Sequence, residues 1–175
     1  VNRHTLQEIM GIIEKYVPTV VGITVLTPSV DVVYEISRNI RINFPSIKIV
    51  MGNMHASLFS DEILTNGYAD FVVHREGEIV MPELLKALEN KNSFEGVKGI
   101  SFKKNNIVVN NHMMPHIEDL DTLPFPAWDL FPMDKYLTDP RTEVKKGAVE
   151  MMILATRGCP NQCTFCSSRT DRSLG

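Results

Sequence analysis

The chain is short of several things, and each shortage removes a class of reading. It has one tryptophan, 7% aromatic residues, and no apolar run near the roughly 18 residues that a membrane-spanning helix requires. No signal-peptide pattern opens it. Neither sign of charge prevails: 18 Lys and Arg stand against 21 Asp and Glu, for a net charge of −3. The basic residues are scattered, so neither nucleic acid nor an anionic membrane surface is expected as a partner. What remains is 175 residues with 43% apolar content, enough for one sizeable core, and a cytoplasmic location is the default expectation.

Cysteine is scarce as well, but its distribution is informative. The three cysteines, Cys159, Cys163 and Cys166, all fall in one eight-residue run, C-x3-C-x2-C. An apolar strand-like stretch, Met151 to Ala155, leads through Arg157-Gly158 into this loop. Three soft thiolates select zinc, copper(I) or an iron–sulfur cluster. A structural zinc site wants a fourth Cys or His nearby, whereas all five histidines lie upstream, His116 being the nearest. A disulfide would strand one thiol. The preferred reading is a cluster held by three cysteines, with one iron left open.

That loop resembles the cluster loop of the radical S-adenosylmethionine (SAM) enzymes, down to the preceding strand, the Arg-Gly before the first cysteine and Phe165 before the last. The resemblance implies a [4Fe–4S] cluster on Cys159, Cys163 and Cys166, with SAM chelating the fourth iron and Phe165 near the adenine. An electron from the reduced cluster would cleave SAM and give a 5′-deoxyadenosyl radical. It also implies an electron donor of the flavodoxin or ferredoxin type and a small-molecule substrate. A partial TIM barrel would follow, and only its first strand and cluster loop are expected within 151–175. The chain therefore reads as a piece of a longer protein.

Upstream, helical and strand-like patterns alternate. Thr5-Leu6-Gln7-Glu8 has the form of a capping box, and Leu6, Ile9, Met10, Ile13 and Tyr16 recur at helical spacing, predicting a helix over 4–16 that Pro18 ends. Val20 to Leu26 is a continuous, largely apolar, β-branched run of the kind buried on both faces. Thr27-Pro28-Ser29 turns the chain, with Ser29 as N-cap of a helix carrying Val30, Val33, Ile36 and Ile40. Ile47 to Met51 and Asp70 to Val73 read as further strands, separated by a helix over 57–66 that Gly67 closes. Pro82 suits the first turn of a helix running to Glu89. The pattern predicts an α/β, Rossmann-like (flavodoxin-like) parallel sheet flanked by helices, with ligands beyond the carboxyl ends of its strands.

Val97–Phe102 and Ile107–Asn110 predict a β-hairpin, which closes a first domain over 1–110. Residues 111–150 lose periodicity and carry five prolines. Leu123, Phe125, Trp128, Leu130 and Phe131 make this an ordered linker laid on a neighbouring surface rather than a free tether.

A second resemblance covers roughly 18–89. G-I-T-V-L-T-P-S, G-N-M-H-A-S and D-F-V-V-H-R-E-G-E are similar to the cobalamin-binding domain that precedes the radical SAM domain in one large class of these enzymes, and P-F-P-A-W-D-L resembles the segment joining the two. It implies that cobalamin sits among Thr24, Leu26, Thr27, Pro28, Ser29, Gly52, Asn53, His55, Glu76 and Gly77, and that two further strands precede the first one here. The chain departs from the family's usual Gly-Gly-Pro-His at Gly52-Asn53-Met54-His55, and from its Gly-Glu-Gly-Glu at Arg75-Glu76-Gly77-Glu78. His55 and His74 are expected to be hydrogen-bonding loop residues rather than cobalt ligands.

Together the resemblances imply part of a cobalamin-dependent radical SAM enzyme, a methyltransferase or an oxidative cyclase of the anaerobic magnesium-protoporphyrin monomethyl ester cyclase type. The parent would be the enzyme, and the chain alone inactive. Two other readings stay open: a cofactor-binding module without catalysis, and a response-regulator-like or flavodoxin-like module with an unrelated zinc loop.

Overall fold

The computed structural model describes residues 4–131, 157–159, 161 and 163–166. The expected strand at Met151 to Ala155 lies outside them. The first helix, α1 (Leu6–Tyr16), starts where the sequence says it should: Glu8 N donates to Thr5 Oγ1 at 3.3 Å while Thr5 N donates to Glu8 Oε2 at 2.6 Å. This reciprocal pair satisfies two of the amide donors that a helix start leaves open.

Three parallel strands follow, β1 (Val20–Thr24), β2 (Lys48–Gly52) and β3 (Phe71–Val73), paired in that order. The connection from β1 to β2 carries α2 (Val30–Asn43), and that from β2 to β3 carries α3 (Met54–Leu58) and α4 (Ser60–Thr65). Both crossovers step the same way across the sheet, and right-handed connections then send their helices to one face. Ile49, Met51 and Val72 accordingly point into a core with Ile13, Tyr34, Ile40, Ala56 and Leu64. The intervening residues Val50, Phe71 and Val73 point to the opposite face. There they meet Val80, Leu84 and Ala87 of α5 (Gly77–Glu89).

The hairpin forms, as β4 (Ile100–Lys104) and β5 (Ile107–Asn110), and it joins the same sheet antiparallel to β3. The sheet is therefore mixed, with five strands in sequential order rather than all parallel. Two helices also differ from expectation. The expected helix over 57–66 is two short ones that break at Phe59, whose ring stacks on His55 at 4.6 Å. The last helix begins five residues before Pro82, at Gly77, and carries that proline inside it. Ser29 stands at the N-cap of α2 as expected, but its hydroxyl donates back to Leu26 O at 3.0 Å and makes no bond to the helix amides.

Among the described linker residues, Phe125 is 95% and Leu130 80% exposed. No helix among the described residues is long and apolar enough to cross a membrane.

Gly99 shows how tightly α5 is packed. It enters β4 with φ +74°, and a Cβ there would stand 2.8 Å from Val80 Cγ2. Gly11, inside α1, has open space around the same position. The two substitutions should move stability in opposite directions. Gly99→Ala is expected to cost at least about 2 kcal/mol, from the left-handed backbone and the overlap together. Gly11→Ala should gain about 0.5–1 kcal/mol of helix stability. Urea unfolding of both variants checks this, and a loss of stability in Gly11→Ala would contradict the helix assignment.

Candidate functional site

Strand register builds a floor at the carboxyl ends of the parallel strands. On the face shared with α5, alternation and pairing line up two rows, Gly22–Val50–Phe71 and Thr24–Gly52–Val73. Side-chain size falls from Phe71 through Val50 to Gly22 along the first row, and the second has a glycine, Gly52, at its centre. Phe71 and Val73 are covered by α5, whereas Gly22 and Thr24, on the outer strand, are exposed. A Cβ built on Gly22 meets nothing within 4 Å, and one on Gly52 meets only the Val73 carbonyl oxygen, at 3.5 Å.

Above this floor opens a cleft of about 1,530 Å³. Asn53 and Met54 form one wall, Arg75 to Glu78 and Met81 another, and His116, Ile117 and Arg157 to Cys159 a third. The volume exceeds the roughly 300–1,000 Å³ of pockets for drug-sized ligands. A floor stripped of side chains beneath such a volume is the geometry a broad, flat ligand needs in order to approach the backbone.

Of the residues expected to hold cobalamin, Thr24, Gly52, Asn53, Glu76 and Gly77 line this cleft together. Leu26, Thr27, Pro28, Ser29 and His55 do not. The chain leaves β1 at Thr24, and a single 3-10 turn at Thr27–Ser29 carries it onto α2. Thr27 Oγ1 lies 3.0 Å from His55 Nδ1, and His55 is 8% exposed against Phe59. His74 is 3% exposed, with Nε2 2.6 Å from Ser101 Oγ. Ser101 also donates to Asn110 Oδ1, so its oxygen accepts from the histidine. Both histidines thus make the hydrogen bonds expected of them.

Of the three residues that depart from the family pattern, Asn53, Met54 and Arg75, two have positive φ: Asn53 at 78° and Arg75 at 58°. The backbone is glycine-like at both, although the residues are not glycine. Asn53 has its own compensation, since its Oδ1 accepts from Met54 N at 2.6 Å and caps α3. Arg75 Nη1 reaches Met114 O at 3.4 Å.

Glu76 ties the walls together. Its Oε2 accepts from Ile117 N at 2.6 Å and lies 3.6 Å from His116 Nδ1, while its Oε1 accepts from Arg157 Nη1 at 3.1 Å. Arg157 Nη2 donates to Glu78 Oε1 at 2.5 Å. Burial opposes charge on Glu76, but the Ile117 amide, Arg157 and His116 outweigh it and hold its carboxyl below the ordinary glutamate range. The bonds to Glu78 and Glu76 raise Arg157 still further above its usual value.

Cys159 lines the cleft and is half-buried, as is Cys166, whereas Cys163 is exposed. Cys166 N donates to Cys163 O at 3.2 Å. Among the described residues no three His, Cys, Asp or Glu side chains converge as a metal-holding group. The donor set is nonetheless three soft thiols, the chemistry an iron–sulfur cluster takes. Phe165 is 92% exposed.

Sequence reasoning missed Gly22, Met81 and the partners of Arg157. Gly22 was visible as a glycine inside an apolar strand, a pattern that marks close approach to the backbone. The ion pairs span separations of 79 and 81 residues and leave no local pattern.

A family model described as B12 binding domain matches residues 1–85. An uncharacterized methyltransferase of Pyrococcus horikoshii is 35% identical over 166 residues, 94% of this chain and 34% of that protein. The anaerobic magnesium-protoporphyrin IX monomethyl ester cyclase of Synechocystis is 31% identical over 144 residues, 82% of this chain and 28% of the cyclase. The chain thus spans about a third or less of the length of these relatives. The structure of the cobalamin-dependent SAM radical enzyme OxsB, with aqua-cobalamin and SAM bound, matches with a TM-score of 0.59 at 21% identity, over 64% of this chain and 16% of that one. This likeness establishes a shared fold.

The clamp at Glu76 predicts an acid dependence. A carboxyl whose folded pKa is depressed contributes stability above its unfolded value, here 4.5, and that contribution is lost as pH falls through the folded value. Below pH 4.5 the wild type should therefore lose stability more steeply than Glu76→Gln. Urea titrations at a series of pH values measure the difference, and parallel pH profiles would contradict it.

Proposed function

We propose, from the match of residues 1–85 to the B12 binding domain model, that the chain is the cobalamin-holding part, with the cluster loop, of a radical SAM enzyme. The observation that carries this reading is a single cleft lined both by the bare floor at Gly22 and Gly52 and by Cys159, the first of the three cysteines. A cofactor module alone would need only the floor.

In this reading Gly22, Thr24 and Gly52 receive the corrin or its nucleotide tail, Asn53 and Gly77 border it, and Cys159, Cys163 and Cys166 hold a [4Fe–4S] cluster. When bound, cobalamin and the SAM-loaded cluster supply methyl-carrying cobalt chemistry and a carbon-centred radical, respectively. This chain's own residues bind and orient. The sheet excludes water from beneath the floor, and the Glu76–Arg157 pair closes one wall. The reaction class is methyl transfer to an unactivated centre or oxidative cyclisation of a small molecule, with an electron from a flavodoxin-type or ferredoxin-type donor. Residues outside this chain select the substrate, and the chain alone is a binding module.

Hydroxocobalamin titrated into the full-length protein should shift its visible bands. Gly22→Leu, which fills open space above the floor without touching the core, should weaken that binding about tenfold or more, the equivalent of about 1.4 kcal/mol, at an unchanged melting temperature. No shift with the wild-type protein would refute cobalamin binding. Separately, anaerobic reconstitution with iron and sulfide should give the broad visible absorption of an iron–sulfur cluster, which Cys163→Ala removes. A colourless protein with stoichiometric zinc would refute the cluster.

A further inference from the structure

An acidic residue at the start of a helix ordinarily turns its carboxylate onto the open amides of the first turn. Glu76 stands at the N-cap of α5 and makes no such bond. Its two oxygens are committed instead to the linker amide of Ile117 and the guanidinium of Arg157. Glu78, two residues on, takes the other arm of the same guanidinium. One short acidic turn thus holds segments 41 and 81 residues away. The side chains of Glu76 and Arg157 are 17% and 33% exposed, so the pair is partly withdrawn from water. Arginine suits this role because its planar fork can engage two carboxylates at once, which a lysine ammonium does with less geometric control.

Arg157 is two residues before Cys159, and both line the cleft whose floor is Gly22 and Gly52. We infer that Arg157 is a positioning residue: gripped by Glu76 and Glu78, it fixes where the first cysteine of the cluster loop stands relative to the cobalamin floor, and so sets the distance between the two cofactors. This inference rests on the functional reading given above. It assigns to the second and fourth residues of Arg75-Glu76-Gly77-Glu78 a role in joining two cofactor sites rather than in contacting either cofactor.

Two measurements test it, one of which needs no cofactor. In the metal-free and cobalamin-free chain, Arg157→Met should raise amide hydrogen exchange in 157–166 about two- to fivefold, the scale of a partly exposed ion pair. Peptides from β2 and α2 should be unchanged, and Arg157→Lys should restore part of the protection. In the full-length protein loaded with both cofactors, Arg157→Met and wild type are compared at equal iron and cobalamin content. The relaxation enhancement that a reduced cluster imposes on the cob(II)alamin electron spin should weaken in the variant and spread over a wider range of distances. Unchanged exchange in 157–166, or an unchanged spin–spin interaction in a fully loaded Arg157→Met protein, overturns the inference. If the wild-type protein takes up no cobalamin or no iron, the functional reading fails, and the exchange experiment still decides whether Arg157 holds the loop.

Discussion

Everything at the site depends on one constraint of strand pairing. Because alternate residues of a strand share a face, fixing the register of β1 on β2 and of β2 on β3 fixes which residues form the floor. A slip of one residue would put Ile23 and Met51 where Gly22 and Gly52 now stand. The floor would become a ridge of large side chains, and the other face would lose part of its core. Burial of Ile49, Met51 and Val72 on the helix-covered face and openness at Gly22 and Gly52 on the other are thus two consequences of one register. The core that stabilises the sheet also specifies the cleft.

The walls are held at some local cost. Asn53 and Arg75 both adopt positive φ, and such conformations cost a non-glycine residue about 1–3 kcal/mol. At Asn53 the side chain offsets part of that by capping α3. At Arg75 a long cationic side chain reaches the Met114 carbonyl and lines the cleft. Both side chains are polar and line the cleft wall.

Much of the fold was legible because it rests on local periodicity. The capping box at Thr5, the apolar runs of the three parallel strands and the hairpin around Asn105 and Asn106 all declare themselves within a few residues. What was not legible depends on partners distant in sequence. The Arg157 contacts to Glu76 and Glu78 span 81 and 79 residues, and the Thr27–His55 contact spans 28. Thr24 and Gly52 were readable as strand ends, but Gly22 could be placed on the floor only once the register was known. Thr27 and Ser29 offer hydroxyls near a strand end, and the resemblance adds His55 to the same set. Their polar atoms instead stitch the turn to itself and to α3.

In the function proposed, the cysteine spacing supplies a ligand set, but spacing alone says nothing of where that set is held. Three thiols on a loop can gather around an inorganic core wherever the loop lies. Joint chemistry with a second cofactor demands more, namely that the loop return to one location on each folding. The contacts of Arg157 meet that demand with a two-armed, charge-assisted grip rather than with apolar packing, which suits a loop whose Cys163 and Phe165 remain exposed. An apolar plug in the same place would have buried the cleft wall and competed with the ligand for the floor. A grip by charge leaves the cleft open and lets the loop settle at its edge, with the first thiol facing the same space as the bare backbone of Gly22 and Gly52.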